Sequence, residues 1–169
     1  MASAFDSLLR SELGYVLRTL ARLGVKRADT DDMAQEVWLQ VHGKWTDYDE
    51  ARPPRPWLFA FAFRAAANYR RLARHRESPA SEAVAREPAE NDTEQAVSRC
   101  EERTLLLDAI QSLDLEHSSA LVLVDIDEVS PRDAAEILGI PVNTVYSRVR
   151  NARIRVKESL DLARAKGES

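Results

Sequence analysis

Residues 130–157 read SPRDAAEILGIPVNTVYSRVRNARIRVK, and this stretch decides how the chain is built. Ser130 supplies a capping hydroxyl, Pro131 suits a first helical position where its missing N–H costs nothing, and Asp133 puts an acid at the positive end of the helix dipole. The spacing predicts a short helix carrying Ala134 and Leu138 that stops at Gly139. A three-residue turn, Gly139-Ile140-Pro141, then leads into a longer helix from about Val142. That succession is the pattern of a helix-turn-helix.

On the longer helix, Val142, Val145, Val149, Ala152, Val156 and Leu160 step by three and four. At about 100° per residue they gather into one narrow stripe that asks to be buried. Asn143, Ser147, Arg150 and Asn151 project the other way, and Tyr146, Arg148, Arg153 and Arg155 lie on the flanks. Such side chains suit a major groove: arginine matches the guanine edge and asparagine the adenine edge, while flanking arginines and Thr144 serve phosphates. A plain solvated basic face is the duller alternative. It does not account for a capped short helix, a glycine turn, an apolar stripe and an acid-free outer face occurring together.

Working outward, the net charge of −4 conceals a segregation. Residues 1–77 hold 13 Lys+Arg against 10 Asp+Glu, residues 78–98 hold 1 against 5, and residues 99–169 hold 10 against 13. Arg64, Arg70, Arg71, Arg74 and Arg76 occur within residues 64–76 without an acid, and residues 142–157 are equally acid-free. Screening over roughly 8–10 Å lets such local surfaces bind phosphates although the whole chain is acidic. Residues 78–93 combine Ser78, Pro79 and Pro88 with four acids and too little apolar content to pack, so they read as a flexible linker.

The first 77 residues read as a three-helix bundle. Leu9, Leu13, Val16, Leu20 and Leu23 mark a helix over about 4–23, closed by Gly24. Asp29 and Thr30 cap a second, with Met33, Val37 and Val41 inward and Gly43 as its stop, and Thr46 to Pro56 read as a loop. Pro56 opens a third, lined on one side by Trp57, Phe61, Ala65 and Tyr69; Phe59 and Phe63 are read with them as core more than as stacking platforms. After the linker, Leu106, Ile110 and Leu113 mark one helix and His117, Leu121 and Val124 another, ahead of the helix-turn-helix. The expected fold is all-α: two small helical bundles joined by the linker.

Composition excludes several classes. There is no apolar run near the ~18 residues of a membrane span. Asp6 and Glu12 stand where a secretory leader carries positive charge, which places the chain in the cytoplasm. The single cysteine, Cys100, cannot make an internal disulfide and is read as a buried thiol. His42, His75 and His117 lack companions at ligand spacing, and there is no phosphate-binding glycine motif, so neither a catalytic residue, a cofactor nor a metal is expected.

Residues 134–157 resemble region 4 of the extracytoplasmic-function (ECF) sigma factors of bacterial RNA polymerase. In the first half, Asp32-Met33-Ala34-Gln35-Glu36-Val37-Trp38 is similar to the polymerase-binding helix of region 2. The run from Arg55 to Arg64, continuing through Asn68-Tyr69-Arg70-Arg71, is similar to its promoter-melting helix. The resemblance implies residues 1–77 as a region 2 domain, 78–93 as an acidic linker and 94–169 as a region 4 domain. It implies core-polymerase docking by Asp32, Gln35 and Glu36, and minus-ten contacts from Arg64, Asn68, Arg70 and Arg71. It further implies capture of a flipped base by Trp45 to Pro56, and minus-thirty-five contacts from Asn143, Thr144, Tyr146, Ser147, Arg148, Arg150, Asn151 and Arg153. Promoter DNA, core RNA polymerase and an anti-sigma factor are the implied partners. The chain departs from the family pattern at Arg64 and Asn68, at Leu113-Asp114 and at Asn143. A helix-turn-helix regulator independent of polymerase is the alternative, and a helical adaptor that binds only proteins fits the basic faces less well.

Overall fold

The computed structural model describes residues 4–76 and 94–167, and among these every regular element is helical. The linker read over 78–93 lies outside the described residues. Three helices form the first half: α1 (Ala4–Arg22), α2 (Arg27–Gly43) and α3 (Pro54–Arg76). The second half holds α4 (Glu94–Gln111), α5 (Leu115–Leu121), α6 (Pro131–Leu138) and α7 (Val142–Gly167).

α1 buries Tyr15, Val16, Thr19 and Leu20 against α2 and α3. Leu13, expected inward, is exposed instead, because Tyr15 and Thr19 share the buried face with Val16 and Leu20. Gly24 follows with φ +93°, a conformation only glycine takes without strain, and turns the chain into α2. That helix begins at Arg27, before the expected caps. Lys26 precedes it in extended backbone, Thr30 Oγ1 donates to the Lys26 carbonyl at 2.9 Å, and Asp29 accepts from the Tyr69 hydroxyl at 2.7 Å. Trp45–Asp47 form a 3-10 turn inside the expected loop, and α3 starts at Pro54, two residues before Pro56. Both prolines fit because the first turn of a helix leaves its N–H groups unbonded. Phe59 and Phe61 are core, whereas Trp57 and Phe63 are half-buried.

In the second half α7 packs on α4, α5 and α6. α5 runs on into a π-helical turn, Val122–Ile126, which ends with the Asp127 N–H donating five residues back to the Val122 carbonyl at 2.9 Å. Ile110 and Leu113 are buried as expected, but Leu106 is exposed. Cys100 is also exposed, not a buried thiol. From Arg99 to Asp108 no residue of α4 is buried, and Glu101, Glu102 and Arg103 face solvent; burial follows at Ala109 and Ile110.

The halves touch. α3 packs against α6 and α1 against α4, and buried residues of both halves belong to one hydrophobic cluster. Hydrogen bonds that cross between them include Tyr15 hydroxyl to Asp127 Oδ2 at 2.7 Å, Arg70 Nη2 to the Leu113 carbonyl at 2.9 Å, and Gln111 Nε2 to the Ala21 carbonyl at 2.8 Å.

Candidate nucleic-acid interface

The helix-turn-helix is locked at each joint by local bonds. The Ser130 hydroxyl accepts from the Asp133 N–H at 3.1 Å and donates to the Asp133 carboxylate at 2.7 Å, so cap and third residue hold one another. At the far end Gly139 takes φ +66°. There the Ile140 N–H reaches the Ala135 carbonyl at 3.0 Å and the Gly139 N–H the Glu136 carbonyl at 3.3 Å, a Schellman closure that fixes where α7 starts.

α7 divides by face. Val145, Val149, Ala152 and Val156 are buried and Leu160 is partly so, while Val142 at the mouth of the helix is exposed, a correction to the expected stripe. Asn143, Ser147, Arg150 and Asn151 are exposed together, with Tyr146 beside them at 59%. Thr144 is half-buried, and its carbonyl accepts from the Ser147 hydroxyl at 3.0 Å.

The flanking arginines are not bare, contrary to the acid-free surface read from α7 alone. Arg148 bonds Glu116 at 2.7 Å, Arg153 makes a two-pronged contact with Asp125 at 2.8 and 2.7 Å, and Arg155 reaches Asp114 at 3.1 Å. All three acids belong to α5, its cap or its π-helical extension, so only the fold brings them there. Arg153 is held more firmly protonated by its bond to Asp125. Among the described residues Arg150, Asn143 and Asn151 have no side-chain partner, so the fold leaves them available to a ligand.

Asp114 caps α5 by accepting from the His117 N–H at 3.0 Å and lies 2.6 Å from the His117 ring nitrogen. Burial alone pushes this carboxyl upward, yet its bonds to His117 and Arg155 together hold it down at about 2. From sequence this position stands out only as a departure from the resembled pattern, and the cap goes unseen; an Asp three residues before a histidine at a helix start is the signal that points to it.

In the first half Arg64, Asn68 and Arg71 form one exposed row, since positions four and seven apart share a helix face. Arg71 Nη2 donates to Asn68 Oδ1 at 2.9 Å, and Arg64 lies 4.8 Å from the Phe61 ring centre. Arg70 points elsewhere. Its guanidinium bonds the carbonyls of Leu23, at 3.3 Å, and Leu113, at 2.9 Å, and burial draws its pKa down.

Next to the exposed row is a concavity of about 510 Å³ lined by Gln40, Gly43, Lys44, Asp47, Trp57, Phe61 and Arg64. Its aromatic wall continues through Tyr48, stacked on Trp57 at 4.6 Å, and Trp45, 5.4 Å from Tyr48. Base capture is expected from Trp45 to Pro56 and Trp57 is expected in the core, whereas Trp57 is half-buried and lines this concavity. On α2 the side chains of Asp32, Gln35 and Glu36 are all exposed, over a buried side carrying Val37 and Val41 with Met33 half-buried. Leu39 next to them is 75% exposed.

This is the architecture of a DNA-binding helix-turn-helix protein with a second polar and aromatic surface on its other half. The sequence model for Sigma-70 region 2 matches residues 8–76, and that for Sigma-70, region 4 matches residues 103–156. The chain is 31% identical to the ECF RNA polymerase sigma factor SigM of Mycobacterium tuberculosis, an alignment spanning 93% of this chain and 77% of that protein. It is 26% identical to the RNA polymerase sigma-E factor of Streptomyces coelicolor over 92% of this chain and 85% of the other. In fold it is similar to the sigma factor RpoE of Bartonella quintana, solved in complex with the anti-sigma factor NepR: TM-score 0.74 at 24% identity, over 95% of this chain and 98% of that one.

The chain belongs to the ECF sigma factors of RNA polymerase. It is a DNA-binding transcription initiation factor that directs promoter recognition. No helix among the described residues is long and apolar enough to cross a membrane.

Proposed function

We propose that residues 1–77 engage core polymerase and the minus-ten element, that residues 94–169 read the minus-thirty-five element, and that residues 78–93 are an acidic tether between them. α7 lies in the minus-thirty-five major groove, where Arg150, Asn151 and Asn143 meet base edges with Ser147 and Tyr146 alongside. Thr144, Arg148 and Arg153 hold phosphates. Arg64, Asn68 and Arg71, joined by Arg70 once it is free, hold the minus-ten backbone. The Trp45–Tyr48–Trp57 wall stacks a base turned out of the opened duplex. Asp32, Gln35 and Glu36 dock the chain on core polymerase. Opening the duplex draws on binding energy, so the chain catalyses no reaction of its own, and it works in the cytoplasm. The anti-sigma complex of the Bartonella quintana factor supports a comparable inhibitory partner for this chain.

The observation that carries this reading is the exposed row of Asn143, Arg150 and Asn151, without side-chain partners among the described residues, on a locked helix-turn-helix. Run-off transcription with purified core polymerase and a promoter library tests it. Promoter-specific transcripts are expected only when chain and core are both present, and Glu36→Ala combined with Gln35→Ala and Asp32→Ala is expected to abolish them. Tight binding to isolated duplex, with no association with core, overturns the reading in favour of a stand-alone regulator.

A further inference from the structure

Between Val142 and Lys157, α7 carries four arginines, and among the described residues three of them meet a carboxylate from elsewhere in the chain. Arg148 bonds Glu116 at 2.7 Å, Arg153 holds Asp125 through two bonds at 2.8 and 2.7 Å, and Arg155 reaches Asp114 at 3.1 Å. The exception is Arg150, which shares the exposed row with Asn143, Ser147 and Asn151. The three acids come from one neighbour: Glu116 is in the first turn of α5, Asp114 is its cap and Asp125 belongs to its π-helical extension. A place at the positive end of α5 accounts for an acid at Glu116, but not for its reach across 32 residues to Arg148. Asp114 has a second duty, since it caps α5 and holds His117. The carboxylates of Glu116 and Asp125 bond only these arginines among the described residues.

We propose that Glu116 and Asp125 are specificity determinants of the minus-thirty-five contact: they keep Arg148 and Arg153 neutralised against loosely bound DNA and yield them only to a phosphate that correct seating of α7 brings into direct contact. The proposal rests on the functional reading above. Sequence-independent binding comes almost wholly from phosphates neutralised by Lys and Arg, and log K falls by about 0.9 per tenfold rise in salt for each of them. An arginine that carries its own carboxylate adds no net charge, so it contributes little to that binding. A phosphate held across water, with its field screened over roughly 8–10 Å, does not displace a carboxylate at 2.7 Å. One in direct contact does, because a charge-assisted bond to phosphate outweighs an exposed ion pair, which is worth a factor of about one to five. Arg150 and Asn151 supply the close seating through base contacts, and neither has a side-chain partner to give up among the described residues.

The test uses polymerase reconstituted with the full chain, on a promoter fragment and on the same fragment with its minus-thirty-five element scrambled. Glu116→Gln and Asp125→Asn each keep an acceptor for the arginine and remove the charge. Each should tighten binding to the scrambled fragment by roughly fivefold to tenfold at about 0.1 M salt and steepen its log–log salt slope by about 0.9, the effect of one more phosphate neutralised. Binding to the intact promoter should tighten only by the strength of the pair, a factor of about one to five, so discrimination between the fragments falls. Glu116→Asp, which keeps the charge, should retain the wild-type slope. A carboxylate that merely orients its arginine gives the neutral variants an unchanged slope and weaker binding to the intact promoter, and that result overturns the proposal. Equal tightening on both fragments overturns it too. If Asp125→Asn fails to fold by circular dichroism, Glu116→Gln, at a mostly exposed side chain, decides by the same criteria. A wild type that binds both fragments alike overturns the functional reading and the proposal with it, whereas a wild type and variants that discriminate equally overturn the proposal alone.

Discussion

Arg150 and Arg153 lie within one turn of α7 and are in opposite circumstances. Arg153 is engaged by Asp125, while Arg150 has no side-chain partner among the described residues. An exposed ion pair is worth roughly 0–1 kcal/mol, less than a charge-assisted bond to a phosphate at about 1.5–3 kcal/mol, so Arg153 can exchange its carboxylate for DNA at small cost. The pairings of Arg148 and Arg153 thus orient both side chains without disabling them for the phosphate contacts proposed above. On the proposed reading, the base contacts fall to Arg150 and Asn151. Replacing either with Ala should alter preference at particular promoter positions by roughly 1–3 kcal/mol, whereas Arg148→Ala should weaken all sequences alike. Anisotropy titrations of polymerase carrying each variant, on duplexes changed one base pair at a time, separate the two patterns; uniform losses for Arg150→Ala and Asn151→Ala would remove their base-reading role.

Among the elements, α5 shows how a cap becomes a pH-dependent contribution. Asp114 has its pKa brought from 3.8 to about 2, its bonds to His117 and Arg155 outweighing burial. A carboxylate depressed in the folded state stabilises above its unfolded pKa, and that stability is lost as pH falls from about 4 through about 2. With the side chain 44% exposed, screening limits the effect to about 1 kcal/mol or less. Urea unfolding between pH 7 and pH 2 should show that loss in the wild type and a smaller one in Asp114→Asn, which keeps a capping oxygen but does not titrate. What could be read from sequence follows the same line. The α6–turn–α7 unit was legible because Ser130, Asp133 and Gly139 act on neighbours within five residues. The start of α2 was not, since Asp29 and Thr30 have the chemistry of caps but serve Tyr69 and Lys26 from inside the helix. Arg70 reads like its exposed neighbours Arg64 and Arg71 because nothing local reveals that two helix ends converge on it.

For the molecule as a whole, the informative contact joins residues 112 apart, Tyr15 and Asp127. Sequence patterns establish each half because each repeats a helical period; they carry no information about a bond between halves. If the halves behave as one unit, they should unfold as one. All three tryptophans, Trp38, Trp45 and Trp57, lie in the first half, so their fluorescence reports that half while far-ultraviolet circular dichroism reports both. Coincident denaturation curves are expected for the wild type, and separated ones for Tyr15→Phe. The π-helical turn bears on how such a protein can change. Its extra residue works as a spacer that lets Asp125 face Arg153 while Asp127 faces Tyr15. Deleting one residue from Val122–Ile126 would swing whatever follows by about 100° and pull at least one of these pairs asunder. Substitutions within this short segment are therefore far easier for the protein to absorb than any change in its length.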